Sequence, residues 1–144
     1  MKRKILSKLI EWKNKKNRKP LIVNGARQVG KTYILKEFGS HYYEKMAYVN
    51  CDKNKTLDKI FSQDYNISRI LLSLSAILHV NIEPENTLII FDEIQENPTV
   101  LNSLKYFCED ASQYHVAVAG SLLGISLHRD TSFPVGKVDM IKMY

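Results

Sequence analysis

The chain runs from Leu21-Ile22-Val23-Asn24 straight into Gly25-Ala26-Arg27-Gln28-Val29-Gly30-Lys31-Thr32 and leaves through Tyr33-Ile34-Leu35-Lys36-Glu37-Phe38-Gly39. Few local arrangements accommodate that order. An apolar run ahead of a glycine turn predicts a short buried strand, and Ile34, Leu35 and Phe38 recur at helical spacing after it. The helix is expected to stop at Gly39, since glycine commonly ends helices. Strand, turn and helix therefore follow one another without a spacer, as they do at the start of a crossover between parallel strands.

The later apolar segments continue the alternation. Residues 46–50 predict a second strand, 67–80 a largely buried helix, 87–91 a third strand, 98–110 a helix with proline in its first turn, and 115–119 a fourth strand closing at Gly120-Ser121. Residues 137–144 approach a last core strand. Thr87-Leu88-Ile89-Ile90-Phe91 is almost uninterruptedly apolar, as expected where helices cover both faces of a parallel sheet. The expectation is an α/β domain whose ligands bind at the carboxyl ends of the strands.

The polar signals fall at those ends. Gly25 to Thr32 satisfies GxxxxGK[ST] between a strand and a helix. Gly25 and Gly30 let the backbone turn tightly, so that the amides of Gly25, Ala26, Arg27, Gln28, Val29, Gly30, Lys31 and Thr32 can wrap a phosphate. Lys31 would reach the β- and γ-phosphates, and the N-terminus of the following helix faces the same anion. The Thr32 hydroxyl is the candidate Mg²⁺ ligand. Leu88-Ile89-Ile90-Phe91-Asp92-Glu93 matches the Walker B pattern. There Asp92 would hold the metal and Glu93 would orient or deprotonate an attacking water. Ser121, at the end of the fourth strand, reads as a γ-phosphate sensor or as a helix N-cap. Arg27, Gln28 and Gln95 are secondary candidates for nucleotide contact.

Other features exclude more than they assign. Cys51 and Cys108 are too few for a disulfide framework and form no CxxC pair, so both are expected to be buried reduced thiols. His41, His79, His115 and His128 lack metal-ligand spacing. Asn54-Lys55-Thr56-Leu57-Asp58 has one residue too many for the guanine-reading NKxD. The net charge of +6 is concentrated in residues 1–19, where Lys2, Arg3, Lys4, Lys8, Lys13, Lys15, Lys16, Arg18 and Lys19 precede the domain at 20–144. Ile5, Leu9 and Trp12 lie on one face of this stretch, which is expected to be a surface helix with solvated cations; weak non-specific nucleic-acid contact is the alternative. Lys8, Glu11 and Lys13 interrupt what would be the apolar core of a signal peptide, and no stretch is long enough to span a bilayer, which makes the cytoplasm the expected location.

The strings LIVNGARQVGKTYILKEFG, TLIIFDEIQ, SLKYF, AGSLLG and SFPVGKVD resemble a family of bacterial and archaeal AAA-type ATPases that usually carry a separate C-terminal domain of unknown function. The resemblance extends from about Pro20 to Tyr144. It implies a P-loop NTPase three-layer αβα sandwich with a mostly parallel sheet of about five strands, and ATP and Mg²⁺ as cofactors. It implies phosphate binding by Gly25, Gly30 and Lys31, metal binding by Thr32 and Asp92, water activation by Glu93 and a sensor role for Ser121. It also implies that the family's lid and C-terminal domain lie beyond this core.

The leading functional expectation is hydrolysis of ATP to ADP and phosphate, coupled to a partner protein or to the missing C-terminal domain, with oligomerisation left open. A non-hydrolysing switch or an incomplete core is the alternative. Intact Glu93 argues for turnover, whereas a missing arginine-bearing lid argues against it, because neither Arg69 nor Arg129 is placed at a γ-phosphate by the sequence. A nucleic-acid module or a P-loop kinase has less support.

Overall fold

Successive side chains along a strand point to opposite faces of its sheet, and in this chain both faces are apolar. The structure is a computed structural model that describes residues 2–26, 30–121 and 136–144. In chain order its elements are α1 (Lys2–Lys13), β1 (Leu21–Gly25), α2 (Lys31–Tyr42), β2 (Lys45–Asn50), α3 (Lys55–Gln63), α4 (Ile67–Leu78), β3 (Thr87–Asp92), a 3₁₀ turn (Ile94–Glu96), α5 (Pro98–Asp110), β4 (His115–Gly120) and β5 (Asp139–Met143). The strands form one sheet in the order β2-β3-β4-β1-β5, and every described pairing is parallel.

The alternation sorts the apolar residues into two cores. Ile22, Val49, Ile89, Phe91, Val116 and Val118 face α3, α4 and α5, where Phe61, Leu74, Leu104 and Phe107 meet them. Leu21, Val23, Leu88, Ile90, Ala117 and Ala119 face the other way, toward Leu9 and Trp12 of α1 and Leu35 and Phe38 of α2. Among the described residues the result is a three-layer αβα sandwich with five strands, the P-loop NTPase arrangement. Helix α1 is part of it, since Ile5, Leu9 and Trp12 are buried while Arg3, Lys4 and Lys8 remain in solvent. The Trp12 indole N–H also donates to the Lys19 carbonyl at 2.7 Å, which folds the basic stretch back onto the domain.

Two local features depart from the sequence expectations. Helix α2 does not stop at Gly39 but continues to Tyr42. A Cβ on Gly39 would lie 2.6 Å from Met46 Cγ, so this glycine serves the close approach of α2 to β2. Helix α3 was not anticipated. It buries Leu57, Ile60 and Phe61 and is capped by Asn54, whose side-chain oxygen accepts from the Leu57 amide at 2.9 Å. Asn54 and Asp58 thus have structural employment, because the Asp58 carboxylate accepts from the Asn97 amide at 2.7 Å. Asn97 in turn caps α5 through the Val100 amide.

Candidate functional site

Strand β4 lies between β1 and β3, so Gly25 and Asp92, the last residues of β1 and β3, end strands two places apart on either side of β4. That crevice at the carboxyl ends is where open α/β sheets take their ligands. Gly30 has φ 85°, a left-handed conformation that L side chains rarely adopt, although a Cβ there would meet nothing within 4 Å. The need for glycine is therefore conformational. The first α-helical bond runs from the Ile34 amide to the Gly30 carbonyl at 3.0 Å, which aims the start of α2 into the loop. Lys31 is 8% exposed, and its ammonium curls back to donate to the carbonyls of Gly25 at 2.8 Å and Ala26 at 2.6 Å. Arg27, Gln28 and Val29, the tip of the loop, lie outside the described residues, as do His128 and Arg129.

Thr32 and Asp92, sixty residues apart, meet directly: the Thr32 hydroxyl donates to Asp92 Oδ2 at 2.8 Å. The same oxygen accepts from the Tyr48 hydroxyl at 2.5 Å, and Asp92 Oδ1 accepts from the Glu93 amide at 2.9 Å. Burial, reinforced by the hydrogen bond to Asp92, pushes the Tyr48 phenol well above its ordinary value and keeps it a donor. Asp92 is only 5% exposed, so these donors compensate its desolvation. The oxygens present suit a hard cation that takes one or two protein ligands and completes its shell with phosphate and water. Next to them, burial and the neighbouring Asp92 push the Cys51 thiol up to about 12. Cys51 is a buried protonated thiol, while Cys108 is half-buried.

Glu93 has φ 54° and ψ 47°, a left-handed conformation that costs a non-glycine residue roughly 1–3 kcal/mol. The turn ends β3 and swings the carboxylate out of line with the strand. Gln95 then donates to Glu93 Oε2 at 3.0 Å, and its own Oε1 accepts from the Ser121 amide at 3.2 Å. Lys31, Thr32, Asp92, Glu93, Gln95 and Ser121 are thus brought to one end of the sheet. Arg69 is held elsewhere, tying α4 to α3 through Asp64 at 3.0 Å and the Ile60 carbonyl at 2.7 Å. His115 is buried beside Tyr43 and Trp12, on the α1 side of the sheet.

The sequence reading missed Tyr48. Its only local signal is a polar-tipped aromatic near the end of an apolar strand, and its importance depends on β2 pairing with β3 in the register Asn50↔Asp92. The role of Gly120 was equally hidden. A Cβ there would lie 2.7 Å from Ile94 Cγ2 and would also meet Gln95 Oε1.

Comparison with known proteins agrees with this geometry. A Walker-type ATPase of Pyrococcus abyssi has a similar fold, with a TM-score of 0.52 and 15% sequence identity over 99% of this chain and 52% of that one. The chain therefore spans about half the length of that structure. No curated protein matches it. A family model described as AAA domain matches residues 17–144, a span that takes in both halves of the site. The chain belongs to the AAA domain family and is an AAA-type ATPase core.

Proposed function

We propose that the chain binds ATP with Mg²⁺ and hydrolyses it to ADP and phosphate, coupling nucleotide state to the conformation of a partner. The observation that carries this reading is the 2.8 Å contact between Thr32 and Asp92, which joins the phosphate loop to the acidic strand end. The Thr32 hydroxyl and the Asp92 carboxylate would hold Mg²⁺, which would supply positive charge against the negative charge that develops during phosphoryl transfer.

The residues divide the work. Loop amides and the Lys31 ammonium hold the phosphates; Lys31 exchanges its bonds to Gly25 and Ala26 for bonds to phosphate oxygens. Thr32 and Asp92 present their oxygens to the metal, with Tyr48 keeping the carboxylate oriented. Glu93 accepts a proton from the attacking water, and Ser121, just past the end of β4, senses the γ-phosphate. A protein partner, or a domain of the same protein, reads the result; the cytoplasm is the proposed setting. Among the described residues no helix is long and apolar enough to cross a membrane.

Titration with a fluorescent ATP analogue, with and without Mg²⁺, tests the reading alongside phosphate release. Binding should require Lys31 and strengthen with Mg²⁺, and Glu93→Gln should bind but release no phosphate. Binding without release in the wild-type chain would replace hydrolysis by a switch. Failure of a folded wild-type chain to bind would overturn the proposal.

A further inference from the structure

We infer that Gln95 is a positioning residue for Glu93, clamping its carboxylate to the end of β4, and that Gly120 is glycine in order to admit this clamp. The inference rests on the hydrolytic reading above. Gln95 uses both ends of its amide: Nε2 donates to Glu93 Oε2 at 3.0 Å while Oε1 accepts from the Ser121 backbone N–H at 3.2 Å. A glutamine satisfies an acceptor and a donor at once, which neither a carboxylate nor an ammonium does. The clamp is thereby matched in polarity to a carboxylate on one side and an amide on the other.

Its space is also provided. Gly120 lies in extended β4 rather than at a left-handed turn, so backbone conformation does not call for glycine there. What calls for it is proximity: a Cβ would strike Gln95 Oε1 and lie 2.7 Å from Ile94 Cγ2 and 3.2 Å from the Ile94 amide nitrogen. Ile94 is wholly buried and is the first residue of the 3₁₀ turn that carries Gln95, so the turn has no room to retreat. Without the clamp, the strained Glu93 would keep its backbone turn but its carboxylate would be free to rotate, and a misplacement of about 1 Å at a reacting group costs up to roughly 100-fold in rate.

The test is a double-mutant cycle of Gln95→Ala and Gly120→Ala, read by turnover, by affinity for the fluorescent ATP analogue with Mg²⁺, and by hydrogen exchange of the Ser121 amide. Gln95→Ala should lower kcat about 10- to 100-fold, leave nucleotide affinity within about threefold, and speed Ser121 exchange about tenfold as its acceptor is lost. Gly120→Ala should reproduce the loss in kcat, and the double variant should be no worse than either single one. Gln95→Glu provides a second route should Gly120→Ala not fold, because it preserves the acceptor for Ser121 while replacing the donor that faces Glu93. It should keep Ser121 protected and still lose turnover. Losses that multiply in the double variant, or a Gln95→Ala enzyme within threefold of wild-type kcat, would overturn the clamp. A wild-type chain that binds nucleotide but never hydrolyses it would instead remove the reaction that the clamp serves, and the inference with it.

Discussion

Mild acid should destabilise the domain, and His115 sets the size of the effect. The imidazole is 3% exposed, and its Nδ1 lies 2.6 Å from the Tyr43 hydroxyl. Burial raises the Tyr43 phenol, which therefore remains protonated and donates, leaving Nδ1 as acceptor. The Trp12 ring meets the imidazole edge-on at 5.8 Å. Burial first, then the cations of Arg18 and Lys13, pull His115 down to about 3. In the unfolded chain it returns to about 6.5. The unfolded state thus binds more protons between those values, and stability must fall as pH drops through that window. Between pH 7 and pH 5 the linkage relation gives a loss of about 2 kcal/mol from this one group, growing further below pH 5. Urea unfolding near pH 7 and near pH 5, for wild type and for His115→Asn, isolates the imidazole's contribution. Asparagine still offers Tyr43 an acceptor oxygen but does not titrate, so its acid loss should be smaller by about 2 kcal/mol. Equal losses in the two proteins would refute the reasoning and place the imidazole in water or beside an unrecognised anion.

Three further outcomes are expected. Replacing Glu93 by Asn, which tolerates left-handed backbone better, should abolish phosphate release yet raise stability by about 1 kcal/mol in denaturant titration, since strain is relieved at the position that needs the carboxylate. Asn97→Ala should cost about 2 kcal/mol in urea unfolding, because it removes the α5 cap and leaves the Asp58 carboxylate without the Asn97 donor. Gly39→Ala should destabilise by about 1–2 kcal/mol despite the better helix propensity of alanine, and by less in a Met46→Ala background, where calorimetry should record most of the loss restored.

What could be read without coordinates was whatever local chemistry dictates. Gly30 announced its left-handed turn because few other residues take that conformation, and Leu88 to Phe91 announced a doubly covered strand because they lack polar residues. The αβα layering followed from the alternation of elements. What stayed hidden depended on distant neighbours. Gly39 looks like a helix stop until Met46 is seen beneath it, Tyr48 looks like packing until β2 is placed next to β3, and Gly120 looks like no more than the close of a strand until Gln95 fills its space. Helix α3 was obscured by a short, lysine-rich sequence whose start depends on a single asparagine. The resemblance to Walker motifs located the acids, but not the strained backbone that turns Glu93 out of its strand.

The strand order also sets a timetable for synthesis. Strand β1, the first to be made, finds both its neighbours late: Ile22 pairs with Val118 on one side and with Met140 on the other. A ribosome adding about 5–20 residues per second leaves β1 without its second neighbour for roughly 6–24 s. Strands β2 and β3, by contrast, lie close together in the chain and pair directly. The half of the sheet bearing the acids can therefore assemble while the strand that leads into the glycine loop is still an exposed apolar segment. In the folded domain Ile5, Leu9 and Trp12 share a core with Leu21 and Val23, and because both segments precede every other strand, that contact would be the first cover open to β1 during synthesis.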